Sequence, residues 1–183
     1  MASDRAGIRS TPPPPDALAH RPAGAASQWD DVGLQKLWLA TQKRQWRSLA
    51  VVAGSKGVPT LEVADTLAKI AWWYRGQPTC VVDLRDLSLR LVEHQLQEIA
   101  SQTQHGERVI IALRSVGENP TVVPVAELAD AVIMCVELGK TSMSAARKAV
   151  DEIGRGRFLG TIVLNPDAGK AGKASKSDPP PAR

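Results

Sequence analysis

Residues 48–61 read SLAVVAGSKGVPTL, and this stretch decides the fold. Its first part, Ser48–Ala53, is a short aliphatic run without alternation, which predicts a strand buried on both faces. Its second part is a glycine-containing loop that leads into a helix predicted over Thr60–Arg75. A buried strand, a glycine loop and a helix in this order are typical of the first unit of a parallel sheet covered by helices.

The same alternation of aliphatic runs and amphipathic segments continues along the chain. Four more strands are predicted, at Thr79–Asp83, Arg108–Leu113, Ala131–Val136 and Phe158–Leu164. The other helices are predicted over Asp31–Trp46, Asp86–Thr103, Val125–Ala129 and Ser142–Gly154. Together these elements predict a doubly wound α/β fold with a mostly parallel sheet of about five or more strands. Its ligand site should lie beyond the carboxyl ends of the strands.

The 183 residues are enough for one domain, and its predicted limits are residues 29–166. Eight of the thirteen prolines fall outside these limits, in residues 1–28 and 167–183. The first of these tails is rich in Pro, Ala and Ser, and the second in Lys, Gly, Ala and Pro, so both are predicted to be disordered.

Charge and cysteine content exclude several classes of protein. The formal charge of +4 comes largely from the tails, because residues 29–166 hold 16 basic and 15 acidic residues, and no nucleic-acid partner is expected. No apolar run is long enough to span a membrane and no secretory signal is evident, which predicts a cytoplasmic protein. Cys80 and Cys135 lie in apolar runs without neighbouring ligands, so neither a metal site nor a disulfide is expected.

The loop after the first strand stands where a phosphate-binding loop of pattern G-x-x-x-x-G-K-[ST] would stand. Gly54 and Gly57 remain, but Pro59, Thr60 and Leu61 stand where the second motif glycine, the lysine and the hydroxyl residue are needed. Pro59 removes a backbone N–H, Thr60 removes the cation that neutralises the phosphates, and Leu61 removes a Mg²⁺ ligand. The loop is therefore predicted to be a degenerate phosphate site.

Three stretches resemble a known family, the bacterial tyrosine kinases of capsule and exopolysaccharide export, which are related to chromosome-partitioning and division-site ATPases. Asp130–Ser142 (DAVIMCVELGKTS) resembles the family's "DAVLLVV" strand and the Gly-Lys-Thr-Ser helix start that follows it. Leu159–Asn165 (LGTIVLN) resembles its "LGVVLN" strand, and Gly57–Ala68 stands where the family has "GEGKSTVAANLA". The resemblance implies a phosphate-loop nucleotidase fold over roughly Asp31 to Asn165.

Compared with that family, other positions that contact the nucleotide or its metal ion have also changed. Asp83 is kept after the second strand at a metal position, but Ala112 ends the third strand where the family has a metal-linked Asp. Asn165 matches a residue that contacts adenine in relatives and is equally a turn residue. Lys56 could lie near the place of the second lysine that partitioning ATPases carry early in this loop. Alternatively, it is a solvated loop lysine. Asp86 is predicted to cap the helix that follows it.

The tryptophans form a second candidate site. Five Trp residues dominate a chain with one Tyr and one Phe, and Trp29 lies just before the first helix. Exposed aromatics with arginines nearby, here Arg44, Arg47 and Arg75, are typical of protein interfaces, although the rings could equally cap the sheet within the monomer. The candidate interface residues are Trp38, Trp46, Trp72 and Trp73.

These observations predict a pseudo-kinase or pseudo-ATPase without a bound cofactor or metal, acting by protein contact. The resemblance implies that the chain is a cytoplasmic partner of an inner-membrane polysaccharide co-polymerase. It also leaves open whether the chain forms a homo-oligomer or pairs with an active homologue. The only tyrosine is Tyr74, so the family's C-terminal tyrosine cluster is absent. The alternatives are a surviving partitioning- or division-site-type ATPase that binds ATP and Mg²⁺, and a subunit of another envelope or motility machine.

Overall fold

β1 (Ser48–Ala53) lies at the centre of a five-stranded parallel sheet, and all six of its residues are buried. The computed structural model describes residues 32–76 and 78–165, and over these the strand order is β2-β3-β1-β4-β5. The other strands are β2 (Thr79–Asp83), β3 (Arg108–Leu113), β4 (Ala131–Glu137) and β5 (Phe158–Leu164). Every neighbouring pair is parallel, because each strand is followed by a crossover instead of a hairpin.

The helices cover both faces of the sheet. They are α1 (Val32–Thr41), α2 (Thr60–Arg75), α3 (Val92–Gln104), α4 (Val122–Leu128) and α5 (Met143–Ile153). On one face Leu67 of α2 belongs to the same apolar cluster as Leu49 and Val51. On the other face Ile99 of α3 and Val125 of α4 join Val52. The predicted doubly wound α/β fold, with a sheet of five strands, is therefore confirmed.

The first helix is shorter than predicted, because α1 ends at Thr41 and not at Trp46. The Thr41 hydroxyl donates to the carbonyl of Trp38 at 2.7 Å, and the indole N–H of Trp46 donates to the carbonyl of Thr41 at 3.0 Å. These bonds satisfy groups at the helix end and fold Trp46 back into the core. The residues between them are polar, which favours a connection to β1 over another helical turn.

The other helix limits differ by a few residues. α3 begins at Val92 and follows a single 3-10 turn over Leu89–Leu91, where the prediction began at Asp86. α4 begins three residues earlier than predicted, at Val122. Pro124 is tolerated in its first turn because a backbone N–H at that position would have no acceptor within the helix. The prediction for α5 is confirmed, because the Ser142 hydroxyl accepts from the N–H of Ala145 at 3.2 Å and the helix ends before Gly154, whose φ is +98°.

Several predictions fall on residues outside the described ranges. They are the tails 1–28 and 167–183, Trp29, and the start of the first helix at Asp31. The limits 29–166 for the domain therefore stay a prediction. Within the described residues, no helix is both long and apolar enough to cross a membrane.

Candidate functional site

The loops that follow β1, β2 and β3 meet at the carboxyl edge of the sheet, since these three strands are neighbours. They enclose an open cleft of about 580 Å³. Its lining is formed by Lys56, Arg85, Asp86, Arg114, Glu118 and Asn119. This is where the sequence placed the degenerate phosphate site, and Lys56 and the residues after Asp83 do lie together there.

The first half of the β1 loop packs against the end of β4. The N–H of Gly54 donates to the carbonyl of Cys135 at 2.7 Å, and a Cβ on Gly54 would lie only 3.0 Å from side-chain carbons of Val136 and Thr141. The Ser55 hydroxyl lies 2.9 Å from the Thr141 hydroxyl. Gly54 is therefore required for close packing, and Gly57 for its φ of +80°.

The second half of the loop forms structural contacts at the positions that a phosphate loop uses for its ligand. Thr60 is completely buried, and its hydroxyl donates to the carbonyl of Leu113 at the end of β3, at 2.8 Å. Val58 is buried, and Leu61 packs against the same apolar cluster. Pro59 precedes α2 and provides no side-chain cap. The loop is thus held to the sheet by its own side chains, which leaves no lysine or hydroxyl at the motif positions for phosphate or Mg²⁺.

Asp83, the predicted remnant of a metal site, is engaged by its neighbour Arg85. The guanidinium donates through both Nε and Nη2 to the two carboxylate oxygens, each at 2.8 Å. This hydrogen-bonded pair raises the pKa of Arg85 above its ordinary value, against the opposing effect of partial burial. A carboxylate in a bidentate pair with a guanidinium has few lone pairs left to coordinate a metal cation.

Arg114 connects the β2 and β3 loops, and the sequence analysis did not identify it. Its guanidinium donates to Asp86 at 2.6 Å and to the carbonyl of Arg85 at 3.1 Å. It also lies 3.6 Å from Glu118. Asp86 is therefore an ion-pair partner, and the prediction that it caps the next helix is wrong. The sequence feature that could have identified Arg114 is its position directly after the buried strand β3. Because β3 lies next to β2, its loop meets the loop that contains Asp86.

Asn119 completes the connection between the two loops. Its amide donates to the carbonyl of Leu87 at 3.1 Å, and its oxygen accepts from both the N–H and the hydroxyl of Thr121, at 3.1 and 2.8 Å. The loops after β2 and β3 are consequently bound to each other without any ligand.

Two predicted positions contribute little to the cleft. Ala112 is fully buried in β3, with a methyl group where a carboxylate would hold the water of a metal. Asn165 follows β5, which β4 separates from β1, so it lies apart from the cleft lining. Among the described residues, no group of three His, Cys, Asp or Glu side chains could hold a metal ion.

The structure corrects the predicted tryptophan interface. Trp38 is 5% exposed and packs with Ile70 and Ala71, and Trp46 is 3% exposed with the guanidinium of Arg108 over its ring at 4.9 Å. Both are core residues. Of the four candidate tryptophans, only Trp72 and Trp73 reach the surface. Trp72 is half-buried and Trp73 is 37% exposed, beside Tyr74 at 42%.

Strand order, helices on both faces and a glycine loop after the central strand define a doubly wound α/β fold of the phosphate-loop type. Its structure is similar to that of the "BceF Tyrosine Kinase Domain", with a TM-score of 0.56, 11% identity, and coverage of 72% of this chain and 74% of that chain. It is also similar to "the chimerical protein CapA2B2", with a TM-score of 0.53, 13% identity, and coverage of 72% and 80%. No family model matches the sequence, and no curated protein matches it. At these identities the likeness establishes the fold.

Proposed function

We propose that this chain is a catalytically inactive relative of the bacterial tyrosine kinases, which acts by protein contact in capsule or exopolysaccharide assembly. Its partner would be the cytoplasmic segment of an inner-membrane polysaccharide co-polymerase. The observation that carries the loss of catalysis is Thr60, which stands at the lysine position and is buried against the carbonyl of Leu113.

Phosphoryl transfer depends on positioning and on charge stabilisation, so the missing groups matter more than the retained fold. Leu61 stands at the Mg²⁺ ligand position and Ala112 at the position of a metal-linked carboxylate. Each loss removes a different contribution, and the three together leave no described group for the γ-phosphate at the motif positions.

The ion pairs of the cleft support the same proposal. Asp83 at the end of β2 pairs with Arg85, and Asp86 in the loop after it pairs with Arg114. A Mg²⁺–nucleotide complex would have to displace the guanidinium of Arg85 before both oxygens of Asp83 could bind the metal. Asp86 is 81% exposed, so this obstacle applies to Asp83 and not to Asp86.

The partner is inferred from the fold and from the family resemblance of the sequence. The fold is similar to that of a solved tyrosine kinase domain, BceF. Tyr74, the one tyrosine of the 183 residues, lies at the end of α2 and does not belong to a tyrosine cluster.

Calorimetric titration with ATP and ADP in the presence of Mg²⁺ tests the loss of nucleotide binding. We expect no binding by the natural chain at micromolar concentrations, and measurable binding by the Thr60→Lys/Leu61→Ser double variant, in which the lysine and the hydroxyl are restored. Thr161→Lys, a lysine placed at an exposed threonine of β5, is the matched control and should not bind. Thermal melting of all three proteins establishes that they are folded.

Micromolar binding by the natural chain would overturn the proposal and favour the ATPase alternative, with Lys56 on the rim of the cleft as its cation. The partner is tested separately, by co-purification with the cytoplasmic segment of a co-polymerase from the same genome. We expect a complex whose yield is the same with and without Mg²⁺–ATP. Absence of a complex would remove the capsule assignment and leave the nucleotide result standing.

A further inference from the structure

The two edges of the sheet differ in how their charges are balanced. Charged residues in the connections and strand ends at the carboxyl edge nearly balance: Lys56, Arg85, Arg90, Arg114 and Lys140 against Asp83, Asp86, Glu118 and Glu137. Three of these five cations form ion pairs with carboxylates of the same edge. This edge therefore has an excess of one positive charge.

The opposite edge is basic. We define the amino edge as residues 42–47, 105–108, 129–130 and 154–157, which lead into β1, β3, β4 and β5. Its cations are Lys43, Arg44, Arg47, Arg108, Arg155 and Arg157, and its carboxylates are Glu107 and Asp130. Because neighbouring parallel strands lie about 4.8 Å apart, these cations are spread along one narrow side of the domain.

Three arginines of the amino edge are oriented by main-chain carbonyls. Arg44 donates to Gly156 at 3.2 Å, Arg47 to Thr103 at 3.1 Å and Arg157 to Ala129 at 3.3 Å. A carbonyl oxygen orients a guanidinium without neutralising it, and each guanidinium has five N–H donors. The helices that end here add carboxylates at Glu127, Asp151 and Glu152. Glu152 is balanced by Lys148, and Asp151 by Arg155, which leaves five cations against Glu107, Asp130 and Glu127.

The exposed aromatic side chains among the described residues stand on the same side, whereas the exposed apolar side chains at the carboxyl edge, Leu89, Leu138 and Met143, are all aliphatic. Trp73 and Tyr74 lie in the last turn of α2, which leads into the amino end of β2, and are 37% and 42% exposed. Leu128 ends α4 immediately before β4 and is 40% exposed. Trp and Tyr are the side chains that favour a membrane–water boundary, and Leu favours the acyl region just beneath it.

We propose that the amino edge binds the surface of an anionic membrane, with its arginines and lysines on lipid phosphates and with Trp73, Tyr74 and Leu128 at the level of the headgroups. A lipid surface has a place for all three apolar side chains, whereas a nucleic acid would leave Leu128 without a partner. The proposal is independent of the loss of nucleotide binding, because the cleft is at the other edge.

Sedimentation of the full chain with lipid vesicles tests the proposal. We expect binding to phosphatidylcholine vesicles that contain about 30% phosphatidylglycerol and none to phosphatidylcholine alone, with the affinity falling as salt rises above about 0.1 M. The variant Lys43→Glu/Arg155→Glu should bind at least about tenfold more weakly, since each basic residue near such a surface contributes about 1 kcal/mol. Both side chains are exposed, which keeps the core intact.

The matched control is Lys56→Glu/Arg90→Glu. It reverses two exposed cations of the loops after β1 and β2, which lie at the carboxyl edge. It should bind like the natural chain. A second variant, Tyr74→Ser/Leu128→Ser, should bind several-fold more weakly at every salt concentration, because it removes apolar contacts and no charge.

Two results would overturn the proposal. Unchanged vesicle binding by Lys43→Glu/Arg155→Glu would locate the attraction in the terminal segments instead. Tighter binding to duplex DNA or single-stranded RNA than to the anionic vesicles, measured by fluorescence anisotropy in the same buffer, would identify the amino edge as a nucleic-acid surface.

Discussion

Thr60 illustrates how far single residues could be interpreted from the sequence. The absence of lysine at this position was evident from the motif, but the contact that replaced it was not, because the carbonyl of Leu113 is 53 residues away along the chain. The same holds for Arg114, whose carboxylate partner Asp86 is 28 residues away. Losses in a motif are local and visible in the sequence, whereas the contacts that replace them depend on which strands are neighbours.

Asp130 gives a prediction for stability and its pH dependence. Partial burial raises the pKa of this carboxyl, but hydrogen bonds from the Ser48 N–H, the Arg47 N–H and the Ser48 hydroxyl outweigh that effect, so its pKa lies below 3.8. The Asp130→Asn variant keeps one acceptor and loses the charge. We expect it to lower the free energy of unfolding by about 1 kcal/mol at pH 7, measured by urea titration.

The sign of the pH effect follows from the lowered pKa. The charged form is favoured in the folded chain, so its contribution to stability is present above the ordinary pKa of the carboxyl and is lost as the pH falls through the lower pKa of the folded chain. The difference between the natural chain and Asp130→Asn should therefore shrink in acid. Asp65→Asn, at an exposed position on α2, is the control. A difference that grew in acid would contradict the assignment.

Cys135 gives a prediction for thiol reactivity. It is fully buried in β4, and burial raises the pKa of its thiol to about 12. Since the thiolate is the reactive form, the Cys80→Ser variant should show no rapid reaction with a thiol reagent at pH 8 while folded, and one equivalent in denaturant. Rapid labelling of the folded Cys80→Ser variant would show that β4 opens to solvent.

Among the elements, the strands were predicted better than the helices. All five strands were found from continuous aliphatic runs, and only β4 is longer, by the one residue Glu137. Helix ends were less certain, since they depend on contacts such as the bond from Trp46 to Thr41 that no local pattern contains. A cleft lies at the carboxyl edge of the sheet, where the rule for open α/β sheets predicts a site, but most of its lining lies on loops without a recognisable pattern.

Arg114 gives a prediction at the level of the two loops that it connects. Arg114→Ala removes the contacts to Asp86 and to the carbonyl of Arg85, so hydrogen exchange should become faster in residues 84–88 and 115–121. Global stability should fall by only about 1 kcal/mol, because the guanidinium is 41% exposed. Lys140→Ala, which breaks a pair within a single turn, is the control and should leave both loops unchanged. Unchanged exchange in Arg114→Ala would mean that Asn119 alone holds the loops together.

On the scale of the whole molecule, the described residues already contain a sheet buried on both faces. Two apolar clusters, one on each side, share the strands and include helices from both halves of the chain. A core that draws on residues from α1 to β5 should unfold as one unit.

A chain trimmed to residues 29–166 tests the predicted domain limits. We expect it to unfold in a single cooperative transition, with a melting temperature within about 5 °C of that of the full chain. Calorimetry compares the two, and a chain trimmed further, to 48–166, is the control. This shorter chain lacks α1, which contains Trp38, and also lacks Trp46. It should be strongly destabilised because both side chains belong to the core. A large loss in the 29–166 chain would place part of the fold in the terminal segments.

Gly54 has a consequence for recognising such proteins. A Cβ at this position would lie 3.0–3.1 Å from Val136, Thr141 and the carbonyl of Cys135, closer than ordinary van der Waals contact, and this preference for glycine persists whether or not a phosphate is ever bound. Selection for packing would therefore keep this glycine long after selection for nucleotide had ended. Under the proposed function, a search that weights the first glycine of the loop would group active and inactive chains together, while the residue at position 60 would separate them.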